Sequence, residues 1–404
     1  MSRVWQLPAR EVVRLLRRGA LTPLELVDAA VARTEAVDPM VNAVPTLCVE
    51  RARRRARRLP QPSADGRGWL AGLPVLIKDL VDVEGVRTTY GCAAFAEHVP
   101  TASAIEVRRL EAHGAVVLGK TNTPEFGAGA QTFNEVFGVT RNPWDTALTC
   151  GGSSGGAAVA LATGMAWLAD GSDLGGSLRT PAAFCSVVGL RPSPGRVPHG
   201  PATLPFDTLG VEGPMARDVR DLALLLDAMA GFEPEDPLSF AAPAEGYVAA
   251  VERPAKPGRV AFSTDLGGIT PVDAAIVAVC RDAVAKLAAA GVAVEEAAPD
   301  LSAATEVFTV LRAARFAAAR APTLVLHRAA LKPELVWNIE RGLALTADDI
   351  GRAERERGAM QQRMAAFLAN HDLLLTPAAI VPPFPVEQRW LAELNGHSFP
   401  SYID

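Results

Sequence analysis

Two glycine-rich loops that each present a serine, with a lysine upstream of both, are the residues of this chain best suited to chemistry. Lys78 lies in Gly72-Leu73-Pro74-Val75-Leu76-Ile77-Lys78-Asp79, Ser153 in Gly151-Gly152-Ser153-Ser154-Gly155-Gly156, and Ser177 in Asp173-Leu174-Gly175-Gly176-Ser177-Leu178-Arg179. Glycine is costly to order and is placed where a backbone must come close to something or take an unusual conformation. One amine and two hydroxyls in such settings can supply a base, a relay and a nucleophile, the equipment of acyl transfer.

These residues need rigid elements to hold them. Val75-Leu76-Ile77 and Val116-Val117-Leu118 read as short buried strands. Thr22-Pro23-Leu24-Glu25 joins a capping threonine, a proline at the first helical position and a capping-box glutamate, which predicts a helix to about Val37. Ser103-Ala104-Ile105-Glu106 has the same capping pattern and predicts a helix ending near Gly114. Gly156 to Ala169 is almost wholly small or aliphatic and reads as a helix buried on all sides. Further on, strands at 259–262, 292–294 and 373–375 alternate with helices at 272–290 and 348–368. Such alternation implies an α/β architecture. The Pro/Gly-rich stretch 233–257 fits either a domain boundary or a surface excursion.

With 404 residues and a net charge of -5, the chain can bury a sizeable core and gives no electrostatic reason to meet nucleic acid or an anionic membrane. The basic run Arg51 to Arg58 reads as a solvated helix face. Five cysteines without a C-x-x-C pair argue against a disulfide framework or a structural zinc site. The start, Met1-Ser2-Arg3-Val4-Trp5, opens no apolar signal core, and no apolar run is long enough to span a bilayer, so a cytoplasmic protein is expected.

Two motifs fail in context. Gly114 to Thr121 matches the P-loop pattern, but its intervening residues are the apolar strand itself rather than a phosphate-cradling loop. Gly151 to Gly155 fits G-x-S-x-G, yet turn sequence, not a hydrophobic strand, precedes it. His199, His327, His371 and His397 have no distinctive setting and read as surface or core histidines.

The stretch from Gly72 to about Arg196 closely resembles the amidase signature family of serine hydrolases. The resemblance runs through Lys78-Asp79, Gly119-Lys120-Thr121-Asn122, Glu125-Phe126, Asn142-Pro143-Trp144 and Gly151 to Gly156. It continues through Gly171 to Arg179, Pro181-Ala182 and Gly189-Leu190-Arg191-Pro192. It implies a single domain over 1–404, with a signature core at about 72–196 and a large mixed β-sheet covered by helices on both faces. It also implies a nucleophile at Ser177, a bridging serine at Ser153 after a cis Gly152–Ser153 bond, and a neutral lysine base at Lys78. Burial beside an apolar strand would lower the lysine's pKa enough for that task. The backbone N–H groups of Leu174, Gly175, Gly176 and Ser177 are the implied oxyanion hole, and neither a metal nor an organic cofactor is implied. Cys150 and Leu174 stand where the family more often has proline and threonine, and both read as packing residues. Because related enzymes continue beyond a stretch like Ser398 to Asp404, the resemblance further implies a sheet lacking its C-terminal strands.

The expected activity is hydrolysis of a small carboxamide through an acyl-enzyme. Its partner is then a small-molecule amide, with no nucleic acid and no membrane, and a homodimer is left open. Two alternatives stand beside it: the glutaminase A-type subunit of an amidotransferase, and a truncated non-catalytic relative.

Overall fold

The computed structural model describes residues 3–63 and 66–403; Met1, Ser2 and Asp404, which begin and end the terminal runs read above, lie outside them. The chain divides into two compact units, Met1–Arg253 with Pro385–Arg389, and Pro254–Phe384 with Trp390–Asp404. The first of the three passages between them, at Arg253–Pro254, falls inside the Pro/Gly-rich stretch 233–257.

The first unit is built on a six-stranded mixed sheet. Its strands are β1 (Thr46–Leu47), β2 (Pro74–Lys78), β3 (Val116–Thr121), β6 (Leu168–Asp173), β7 (Val188–Gly189) and β8 (Val211–Ala216), in the spatial order β1-β3-β2-β6-β8-β7. A two-stranded ribbon, β4 (Phe133–Asn134) and β5 (Gly138–Val139), stands apart from it. β2 runs parallel to both β3 and β6, whereas β8 is antiparallel to β6 and to β7. Every residue of β2 and β3 is buried, as expected of parallel strands covered on both faces.

The helices of this unit are α1 (Ala9–Arg17), α2 (Pro23–Val41), α3 (Val49–Ala56), α4 (Ile105–Ala112), α5 (Gly155–Ala162), α6 (Arg179–Cys185), α7 (Val219–Met229) and α8 (Tyr247–Glu252). α5 packs on β2, β3, β6 and β8, and α7 packs on β6, β7 and β8. The Thr22–Glu25 capping box forms in full, with Thr22 Oγ1 accepting the Glu25 N–H and Glu25 accepting the Thr22 N–H. The second box does not form. Ser103 Oγ accepts the Glu84 N–H at 2.9 Å instead, Ala104 takes the capping position, and Glu106 is buried.

α5 is also shorter than its sequence predicts. It ends at Ala162, and residues from Leu168 onward extend into β6, where Leu168 faces Val75 on one side and Ala216 on the other. An unbroken apolar run fits a buried helix and a buried strand equally well, so composition alone cannot divide it. Arg51, Arg53 and Arg55 of the basic run are pinned locally: Arg51 pairs with Glu111 at 2.7 Å, Arg53 with Asp28 at 2.8 Å, and Arg55 donates to the Glu111 carbonyl.

The second unit holds a three-stranded parallel sheet, β10-β9-β11, made of β9 (Arg259–Phe262), β10 (Ala293–Glu296) and β11 (Leu373–Leu375). Its helices are α9 (Ala274–Ala289), α10 (Ala304–His327), α11 (Pro333–Leu343) and α12 (Ala347–Leu368), followed by the ribbon β12 (Glu393–Leu394) and β13 (His397–Ser398). His371 stacks on Phe367 and pairs with Glu295, so its place here is structural. No helix among the described residues is long and apolar enough to cross a membrane.

Candidate active site

Lys78 is the last residue of β2 and its side chain is fully buried. Its Nζ meets three hydroxyls, Ser153 Oγ at 2.7 Å, Ser154 Oγ at 2.9 Å and Ser172 Oγ at 2.9 Å. Among the described residues no carboxylate forms an ion pair with it. Desolvation therefore pushes its pKa down to about 8, against the opposing pull of Glu212, Asp170 and Asp173. An amine that sheds its proton near neutrality, hydrogen-bonded to a hydroxyl, can act as a base toward that hydroxyl.

Ser153 and Ser154 sit at the entrance to α5, after a Gly152–Ser153 bond that is cis. Both are buried. The approach to this turn is irregular chain, in keeping with the failure of the strand-elbow reading. Gly156 explains why the turn needs glycine. A Cβ there would lie 2.4 Å from the Asn122 backbone nitrogen and 2.7 Å from the Ala43 carbonyl oxygen, so α5 begins in direct backbone contact with the end of β3.

The Ser177 loop follows β6 and is organised by Asp173. This carboxylate accepts the Gly176 N–H at 2.9 Å, the Leu178 N–H at 3.1 Å and two hydrogen bonds from Arg179 at 3.0 Å, with Arg191 at 3.2 Å. Burial works to raise its pKa, but the Arg179 guanidinium and the two backbone donors prevail and hold it at about 2. Gly176 takes φ +117°, a conformation side chains resist. The Gly176 N–H, one of the implied oxyanion donors, is engaged by Asp173. The N–H groups of Leu174, Gly175 and Ser177 have no partner among the described residues. The Ser177 side chain is half-buried and its Oγ makes no hydrogen bond there either, while its carbonyl accepts the Ser154 N–H at 3.2 Å. The two serine loops are thus tied through their backbones, and Lys78 joins directly to Ser153 but not to Ser177.

The other lysine of the resemblance, Lys120 on β3, is buried 3.5 Å from Asp79 and donates to the Val81 carbonyl at 2.5 Å and to Thr88 Oγ1 at 2.9 Å. Asp79 accepts from Thr89 Oγ1 at 2.5 Å. This pair braces the ends of β2 and β3. The P-loop reading of Gly114–Thr121 fails as expected, since Val116 to Thr121 are strand. Cys150 is fully buried, and burial pushes its thiol up to about 12, so it packs. Leu174 is half-buried.

Three residues went unassigned from sequence: Ser154 and Ser172, which complete the hydroxyl cage of Lys78, and Asp170, whose Oδ1 accepts the Lys78 N–H at 2.6 Å. Ser154 adjoins Ser153. The signal for the other two was their spacing, because Asp170 and Ser172 stand two apart on a strand and share a face.

A mixed sheet whose strand ends gather a desolvated lysine and several serine hydroxyls carries the groups that acyl transfer requires. The family model described as Amidase matches residues 25–396, and the chain belongs to that amide-hydrolysing family, the amidase signature enzymes. It is 37% identical to an acylamidase of Rhodococcus erythropolis over 97% of this chain and 83% of that protein. It is 42% identical to the A subunit of glutamyl-tRNA(Gln) amidotransferase from Moorella thermoacetica, over 72% of this chain and 60% of that protein. The solved structure of 6-aminohexanoate cyclic dimer hydrolase complexed with substrate superposes with a TM-score of 0.87 at 30% identity, covering 98% of this chain and 84% of that one.

Proposed function

We propose that the chain hydrolyses small carboxamides through an acyl-enzyme on Ser177. Neutral Lys78 takes the proton of Ser153, Ser153 takes that of Ser177, and the Ser177 oxygen attacks the amide carbonyl. The relay then returns a proton to the departing amine, and water releases the acid from Ser177. The N–H groups of Leu174, Gly175 and Ser177 receive the carbonyl oxygen as it gains negative charge. The carrying observation is the buried Lys78 amine, 2.7 Å from Ser153 Oγ. The Ser153–Ser177 contact closes on substrate binding, as catalytic hydrogen bonds commonly do. The acylamidase likeness over nearly the whole chain favours an N-acyl amide.

A second reading, the glutaminase component of an amidotransferase, draws on the 42% identity to the Moorella thermoacetica protein. Ammonia release from glutamine by the isolated protein, set against release of amine from aryl and alkyl amides, separates the two. Ser177→Ala abolishes turnover and labelling by a serine-directed phosphonate, and Lys78→Arg is nearly inactive because arginine stays charged. Labelling that persists in the Ser177 variant, or substantial turnover by the Lys78 variant, rejects the mechanism.

A further inference from the structure

Lys78 is held at two points by one strand. β2 and β6 are paired at Val75–Leu168 and Leu76–Ala169. Two residues further along β2, the Lys78 N–H is taken by a side chain, Asp170 Oδ1 at 2.6 Å, while Ser172 on the same strand takes the Lys78 amine. Asp170 is 1% exposed and its Oδ2 has no hydrogen-bond partner among the described residues. A buried carboxylate bound through one oxygen to a backbone N–H is an expensive way to satisfy a single donor, since a main-chain carbonyl would do so without a charge.

We infer that Asp170 is a positioning residue for amide hydrolysis, gripping the backbone of Lys78 and fixing, through its negative charge, the pH at which the lysine amine becomes a base. This rests on the proposed role of Lys78. The charged groups facing the pair come from each element around it: Lys120 on β3, Glu106 on α4, Asp173 at the end of β6 and Glu212 on β8. Burial raises the Asp170 pKa to about 6, so it is ionised throughout the range in which Lys78 titrates. Glu106 is pushed well above its ordinary value by burial and by Glu212, which favours its uncharged form. An anion beside an ammonium favours the protonated amine, so removing the Asp170 charge lets Lys78 lose its proton at lower pH.

The test is the pH profile of kcat/KM for three proteins. The wild type rises on the alkaline side with an apparent pKa of about 8. Asp170→Asn keeps an oxygen that accepts the Lys78 N–H but carries no charge, and its rising limb moves down by roughly one pH unit. Asp170→Leu loses grip and charge together, and its turnover falls roughly tenfold or more at every pH through misplacement of the lysine, with Asp170→Asn recovering much of the loss. An Asn variant whose limb stays in place or moves up overturns the inference. Should Asp170→Leu fail to fold, as judged by circular dichroism, the Asn profile alone decides. Failure here is distinct from failure of the mechanism: an inactive Lys78→Arg with an unmoved Asp170→Asn limb removes only the role of Asp170, whereas an active Lys78→Arg removes the base itself.

Discussion

Asp173→Asn separates the contribution of one charge to the fold from its contribution to the site. Asp173 is fully buried, ties the Gly176 and Leu178 N–H groups into a turn, and anchors Arg179 and Arg191. Its pKa of about 2 lies below the roughly 3.9 of an unfolded chain, and that gap corresponds to about 2–3 kcal/mol of stability. Because the folded pKa is depressed, this stability is fully present above about pH 4 and is lost as pH falls through about 2. Asparagine retains an acceptor but no charge, so the variant should unfold more easily by about 2 kcal/mol at pH 7, with the difference shrinking by about pH 3. Loosening Leu174 to Ser177 should also reduce turnover by roughly a hundredfold, the penalty for misplacing reacting groups by about an ångström. Urea unfolding at the two pH values, with amide turnover at about pH 7, measures both effects. A variant as stable as the wild type at pH 7 and equally active would refute the account of the loop.

Two further outcomes follow from packing. Gly156→Ala drives a methyl against the backbone of Asn122 and Ala43, which cannot yield as a flexible side chain would, and should lower stability by about 2–3 kcal/mol; an unchanged melting temperature would count against that contact. Cys150 should resist iodoacetamide in the native protein at about pH 8 and react fully in urea, read by peptide mass spectrometry, because it is buried and its thiol is pushed up to about 12.

The parts of the molecule legible in sequence were those specified locally. Thr22-Pro23-Leu24-Glu25 caps a helix with its own side chains, and the apolar runs at 75–77 and 116–118 are short, rich in β-branched residues and flanked by proline or glycine, which favours a buried strand. The lysine and the two serine loops were legible because glycine placement marks where backbones crowd together. Reading failed where distant contacts decide. Ser103 is drawn from its capping role by Glu84, and the border between α5 and β6 is set by Val75 and Ala216, neither near it in sequence. The hydroxyl cage and the grip of Asp170 were illegible for the same reason: serine and aspartate on a strand announce nothing until the facing strand is known.

The parallel pairing of β2 with both β3 and β6 also bears on how the protein comes into being. A translating ribosome releases Lys78 roughly ninety residues before Leu168, an interval of about 5–20 seconds at ordinary rates of synthesis. Throughout that interval β2 lacks its β6 neighbour, and Ser172, the last hydroxyl to reach Lys78, is still unmade. It is then an ordinary hydrated ammonium, with no base chemistry to perform. Only when β6 closes the sheet is the amine desolvated and met by its hydroxyls. The nascent chain therefore carries a solvated lysine and buries it at the moment its core is sealed.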